Sequence, residues 1–182
     1  MKDLFKKIPL SLSVFVILFH RFLLKARLMQ LTAHTDFALR LLIYLTTHRS
    51  RKVSTREVAD AYGISLNHLT KVAKSLTKGG WLITAKGAGG GLMLAPHTLQ
   101  TRLGEIVRYT EMNFEIAECF DPATNQCPIT GVCGLKPVLY RAQRAFFAVL
   151  DSVTVEEIAQ NSQELGAAFA VVRGKGAGAG AK

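Results

Sequence analysis

Cys119, Cys127 and Cys133 are the only thiols of this chain. They fall in one stretch rich in Pro, Gly, Asp and Asn, with seven and five residues between them. An odd number excludes a complete set of disulfides, and three thiols in one loop suit metal binding. Zinc sites use paired Cys-x₂₋₄-Cys spacings, which neither interval matches. An iron–sulfur cluster spans several iron atoms and tolerates wider separations. Three thiolates would leave one iron of a four-iron cluster to an oxygen, nitrogen or exogenous ligand. The alternative is three unrelated thiols. Nucleophilic cysteine chemistry is not indicated. His97 is the nearest histidine in sequence to Cys119, no companion Asn or Asp pattern accompanies it, and His34 and His48 read as helix-surface residues.

A second set of candidates lies upstream: Ser65, Asn67, His68, Thr70, Lys71 and Lys74. Amide, hydroxyl and ammonium groups are the partners that base edges and phosphates need. The elements around them have a readable order. Phe37, Leu41, Tyr44 and Leu45 recur at helical spacing. Ser54 and Glu57 form a capping box at the start of a short helix that stops at Gly63. Ser65 then caps a helix with Leu66, Leu69, Val72, Ala73 and Leu76 on its apolar side, ended by Gly79-Gly80. Two short helices about Tyr62-Gly63-Ile64-Ser65 form a helix-turn-helix signature. On its own, the polar side of the second helix reads equally well as a solvated surface.

The next segment favours nucleic acid. Two strand-like runs, Trp81 to Thr84 and Leu92 to Ala95, flank Ala85-Lys86-Gly87-Ala88-Gly89-Gly90-Gly91. Glycines at a hairpin tip allow close backbone approach, and Lys86 and Gly87 would sit beside a phosphate or minor groove. A helix-turn-helix followed by a hairpin is a winged helix. No Gly-Lys-Ser/Thr follows the glycines, so a nucleotide cradle is rejected.

Further along, Leu135, Val138, Leu139, Ala142, Phe146, Val149 and Leu150 keep helical spacing, with Pro137 tolerated in the first turn. This stripe is longer than a small domain can cover, and a partner helix in a homodimer is its natural cover. Thr154 and Glu157 repeat the capping-box pattern and open a short final helix. Glycine-rich residues toward the end read as a disordered tail. At the other end, the twelve-residue, almost entirely apolar stretch Ile8 to Phe19 follows Lys2, Lys6 and Lys7. It resembles a signal peptide without a cleavage site and is short for a membrane span of about 20 residues. An early start ahead of Met29, a buried helix or a membrane anchor are the readings.

The expected fold class is mainly α with a small β-hairpin wing: a winged helix-turn-helix plus a long dimerisation helix. Residues 1–28 are an extension outside the fold. Residues 29–110 form the DNA-binding domain, 111–134 a cluster-binding loop, and 135–165 the dimerisation helix and final helix. Residues 166–182 are the tail. The 182 residues carry a net charge of +10, unevenly distributed. Residues 31–110 hold eleven bases and four acids, whereas residues 111–170 hold three bases and eight acids. The basic middle is where double-stranded DNA would dock. The cysteines lie in the acidic part, and unpaired thiols fit a cytoplasmic protein.

At this point the motifs resemble a known family, the IscR/NsrR-type winged-helix iron–sulfur regulators. The residues that carry the resemblance are Met29-Gln30-Leu31-Thr32, Thr35 to Arg40, Tyr62 to Leu69, the Gly87-to-Gly91 wing and the three-cysteine loop. The similarity runs from Met29 to about Ile158. Asn67-His68 looks like the nitric-oxide-responsive NsrR branch. The IscR branch carries a histidine three residues after its last cysteine, where Lys136 stands here. The resemblance implies no enzyme but a dimeric repressor on a palindromic operator, with a 4Fe-4S or 2Fe-2S cluster that senses nitric oxide. Reaction with nitric oxide would release DNA and derepress stress genes. It further implies that Asp36 of the partner subunit is the fourth ligand. From its position alone, Asp36 reads as an acid favoured by the helix dipole. An IscR-type redox regulator and an iron–sulfur electron carrier are the alternatives; the latter has no use for a basic winged helix. Two departures from the family pattern are Lys86 in place of arginine before the glycines and the long step from Cys119 to Cys127. A lysine keeps the charge but not the planar fork.

Overall fold

The first helix, α1 (Ala33–Thr47), starts at Thr32, whose side chain accepts the Thr35 N–H at 3.3 Å. Ala38, Leu41, Leu42 and Leu45 are buried along one face of it. Tyr44, also buried, stacks on His48 at 4.3 Å and donates its hydroxyl to Glu57 at 2.9 Å. The computed structural model to which these elements belong describes residues 30–85, 87 and 89–177. Expectations for residues 1–28, for Lys86 and for residues 178–182 lie outside the described residues.

Helix α2 (Thr55–Tyr62) begins as expected, with Ser54 accepting the Glu57 N–H at 3.1 Å. It ends at Gly63, whose φ of 63° is a conformation that a side chain disfavours. Helix α3 (Leu66–Lys78) turns Leu69, Val72, Ala73 and Leu76 into the core. Ser65 occupies the N-cap position, but its side chain makes no capping bond. That corrects the expectation of a side-chain cap there, and the exposed hydroxyl stays available for other partners.

Strands β1 (Leu82–Ala85) and β2 (Gly91–Leu94) pair antiparallel, with Leu82 opposite Leu94 and Ala85 opposite Gly91. Leu82 and Leu92 are buried while Ile83 and Met93 face out, the alternation of a half-buried hairpin. Val53 ties β2 back to the helices by two bonds to Leu92, of 3.1 and 2.8 Å. A 3₁₀ turn (Thr98–Gln100) leads into α4 (Leu103–Thr110), which buries Leu103, Ile106 and Val107. The chain then runs to α5 (Leu135–Ser152) with only a 3₁₀ turn at Glu118–Phe120 on the way. The mainly α architecture with a two-stranded wing is therefore present.

Two expectations about the end of the chain need correction. The Thr154–Glu157 capping box exists, with Glu157 N–H donating to Thr154 Oγ1 at 3.2 Å. It caps a 3₁₀ turn (Glu157–Ala159) and not the last helix. The last helix, α6 (Ser162–Ala177), covers most of the stretch expected as a tail. Its alanines favour helix, and it has an anchor that the glycine count obscured. Phe169 is only 8% exposed and lies 4.7 Å from Tyr44 and 5.3 Å from Tyr62, ring centroid to centroid. Burying a phenyl ring outweighs weak local propensity. Phe169→Ala should therefore cost about 3 kcal/mol in urea unfolding. A loss below about 0.5 kcal/mol would show that α6 contributes nothing to the core.

Candidate functional site

The cysteine segment is held by its neighbours rather than by secondary structure of its own. Asn125 Oδ1 accepts the Cys127 N–H at 3.1 Å, and the Thr130 hydroxyl donates to the Cys127 carbonyl at 2.8 Å. Asp121 accepts from the Ala123 N–H at 2.9 Å and the Thr124 hydroxyl at 2.7 Å, which lowers its pKa. Phe120 stacks on Tyr140 of α5 at 4.2 Å. Gln143 donates to the Phe114 carbonyl at 2.6 Å, and Phe114 meets Phe147 edge-on at 4.7 Å. Helix α5 is fastened in turn to α4. Arg108 lies 4.3 Å over the Phe147 ring and grips Asp151 through two bonds of 2.7 Å.

All three cysteines are free and half-buried. Among the described residues, no three His, Cys, Asp or Glu side chains gather closely enough to hold a metal ion. The structure thus brings the thiols onto one segment but not to one point. The donor set nevertheless suits an iron–sulfur group. Cys127 and Cys133 sit on backbone without helix or strand, and no thiol is tied in a disulfide.

Asp36 stands in the first turn of α1, with its carboxylate held by Arg40 at 2.9 and 2.8 Å. That partner was not anticipated, although the i,i+4 spacing was there to find. Arg40 also accepts the Tyr62 hydroxyl on its carbonyl at 3.1 Å. Burial pushes the Tyr62 pKa up to about 12, so this phenol remains a donor at neutral pH.

On α3, Asn67, His68, Lys71 and Lys74 are exposed, with Ser65 just ahead of them. Asn67, Lys71, Lys74 and Lys78 fall three and four apart and share one helix face. Thr70 is less available, being half-buried and donating to the Leu66 carbonyl at 2.7 Å. At the wing, Gly87 and Gly89 have φ of 90° and 78°, and Gly90 N–H donates to the Gly87 carbonyl at 2.9 Å. Only glycine adopts this tip without strain. An open cavity of about 620 Å³ lies elsewhere, near Thr46, Arg49, Gln100 and Glu156. Two of its polar residues, Gln100 and Arg49, donate to a third, Glu156, at 3.0 and 3.5 Å.

Comparison with known proteins agrees with this architecture. A model of the Rrf2 family, described as an iron-dependent transcriptional regulator, matches residues 31–161. The HTH-type transcriptional regulator NsrR of Shouchella clausii is 45% identical over 138 residues, 75% of this chain and 93% of that protein. The structure of T. potens IscR superposes with a TM-score of 0.59 at 22% identity, covering 77% of this chain and 93% of that one. CymR, the global cysteine regulator of B. subtilis, gives 0.57 at 22% identity, covering 74% and 98%. At that identity the two structures speak for the winged-helix fold.

The Arg108 clamp has a pH consequence. Its hydrogen bonds hold the Asp151 carboxyl below its ordinary value of 3.8. A lowered folded-state pKa adds stability above the ordinary value, and that stability is lost as pH falls through the lowered one. Urea midpoints measured from about pH 5 down to about pH 2 should fall less in Asp151→Asn than in the wild type. Equal acid responses would mean that the clamp does not hold α5 on α4 in solution.

Proposed function

The chain belongs to the Rrf2 family of iron-dependent transcriptional regulators, and from that premise we propose that it is a dimeric, NsrR-type DNA-binding repressor responsive to nitric oxide. The observation that carries the reading is three free thiols on one segment fastened to a basic winged helix, in a family of transcriptional regulators and not of enzymes. Cys119, Cys127 and Cys133 would hold an iron–sulfur cluster as thiolates, with Asp36 of the partner subunit as the oxygen ligand. When bound, the cluster supplies a centre reactive toward nitric oxide, most exposed where the harder carboxylate replaces a thiolate. Asp36 would first have to leave Arg40, an exposed pair of the kind worth about 0–1 kcal/mol.

A second copy is supported by α5, in which none of 18 residues is buried. Leu135, Val138, Phe146 and Val149 are all exposed on it. Burial of such a stripe against its own copy forms a two-fold interface, which matches two DNA half-sites. Among the described residues no helix is long and apolar enough to cross a membrane.

In this reading Lys71 and Lys74 neutralise phosphates, while Asn67 and His68 read base edges, with Ser65, Thr70, Gly87 and Lys86 as further DNA contacts. Replacing Lys71 should weaken all sequences alike and flatten the salt dependence. Asn67→Ala should cost about 1–3 kcal/mol of discrimination at one base pair. The assignment is wrong if Asn67→Ala leaves sequence preference unchanged and a lysine change alters it.

The sensing step is tested by anaerobic titration with nitric oxide. Visible absorbance and binding to a selected duplex are followed in one sample, and both should be lost together. Binding that outlasts the absorbance would make the cluster structural only.

A further inference from the structure

Trp81 is the only tryptophan of the chain and is 3% exposed, at the junction between α3 and the wing. Its backbone and its ring engage several elements. Its N–H donates to the Leu76 carbonyl of α3 at 3.0 Å. Its carbonyl accepts the Ala95 N–H at 2.9 Å and the buried Thr98 hydroxyl at 2.7 Å, which fixes the exit from the wing. The indole meets the ring of Tyr109 on α4 edge-on, with centroids 4.9 Å apart. It also lies directly on the end of α3, where a Cβ added at Gly79 would come within 2.2 Å of the ring.

No slack remains between ring and helix end. Interiors at such density transmit strain, so a displacement of Tyr109 toward the indole is passed on to the end of α3. Among the described residues the indole Nε1 has no hydrogen-bond partner. The ring is therefore oriented by its packing contacts and not by a polar bond. Tyr109 is 43% exposed and stands two residues before Glu111, where the cysteine segment begins.

We infer that Trp81 is a positioning residue through which the cysteine segment, by way of Tyr109, sets the wing and the end of α3 relative to each other. The inference rests on the proposed regulator reading and names the contact that would carry its signal. It also accounts for a glycine at position 79, the one residue with no Cβ to collide with the indole there.

The test compares wild type, Tyr109→Ala and Tyr109→Phe, with far-UV dichroism to establish the fold of each. Each protein is prepared anaerobically with iron and again after chelation. Affinity is measured for a duplex that the wild type has selected from a random pool, and the emission wavelength of Trp81 is recorded in both states. Chelation should weaken wild-type binding by about fivefold or more and shift the emission. Tyr109→Ala should lose both responses, and Tyr109→Phe, which keeps the ring edge, should retain them. The inference is overturned if Tyr109→Ala keeps the wild-type ratio, if Tyr109→Phe loses it equally, or if wild-type emission does not move. A wild type whose binding ignores iron overturns the regulator reading and this inference together.

Discussion

The buried hydrogen bond from the Thr35 hydroxyl to Thr110 Oγ1, at 2.9 Å, joins the start of the DNA-binding half to the start of the cysteine segment. The Thr110 hydroxyl donates in turn to the Ile106 carbonyl at 2.9 Å, so both of these threonine hydroxyls are directed. Beside it the Thr32 N–H donates to Glu111 at 2.7 Å, which places a carboxylate at the positive end of α1. Removing either threonine hydroxyl would delete this link between the helices, at about 0.5–1.5 kcal/mol. The first turn of α1, which holds Asp36, and the departure point of the cysteine segment thus share a single rigid junction. Together with the Arg108–Asp151 clamp, this junction fixes the second half of the chain on the first.

Beyond that junction the molecule is polarised. The α1-to-α4 half is basic, and its core closes on itself through α1, α2, α3 and Phe169 of α6. The other half is acidic and carries its apolar groups outward, with Met112 99% and Val132 88% exposed and α5 without one buried residue. The exposed apolar surface of α5 would supply the attraction at contact between two copies. In the proposed dimer the thiol-bearing segment would gain from the second copy the enclosure and the oxygen ligand that one copy lacks.

Much of this was legible in the residues. The helix-turn-helix, the Gly63 turn, the wing and α5 follow from periodicity, caps and glycines, because each is fixed by neighbours close in sequence. What escaped depended on distant partners. Residues 166–177 look like tail until Phe169 finds Tyr44 and Tyr62 more than a hundred residues away. Ser65 has the right position for a cap and no capping bond, since position in sequence does not fix a rotamer. Helix α4 was not read from the sequence, and nothing local marked its Tyr109 as the neighbour of Trp81. The cysteines were evident as candidates, while their convergence on one metal group is a property of geometry that spacing leaves open.

The most direct measurement is iron and acid-labile sulfide quantitation of the anaerobically purified protein, alongside Cys119→Ala, Cys127→Ala and Cys133→Ala. The account expects iron and sulfide in equal amounts in the wild type, visible colour, and loss of both in every single variant. Zinc in place of iron, or iron and sulfide retained when any one of the three cysteines is removed, would contradict it.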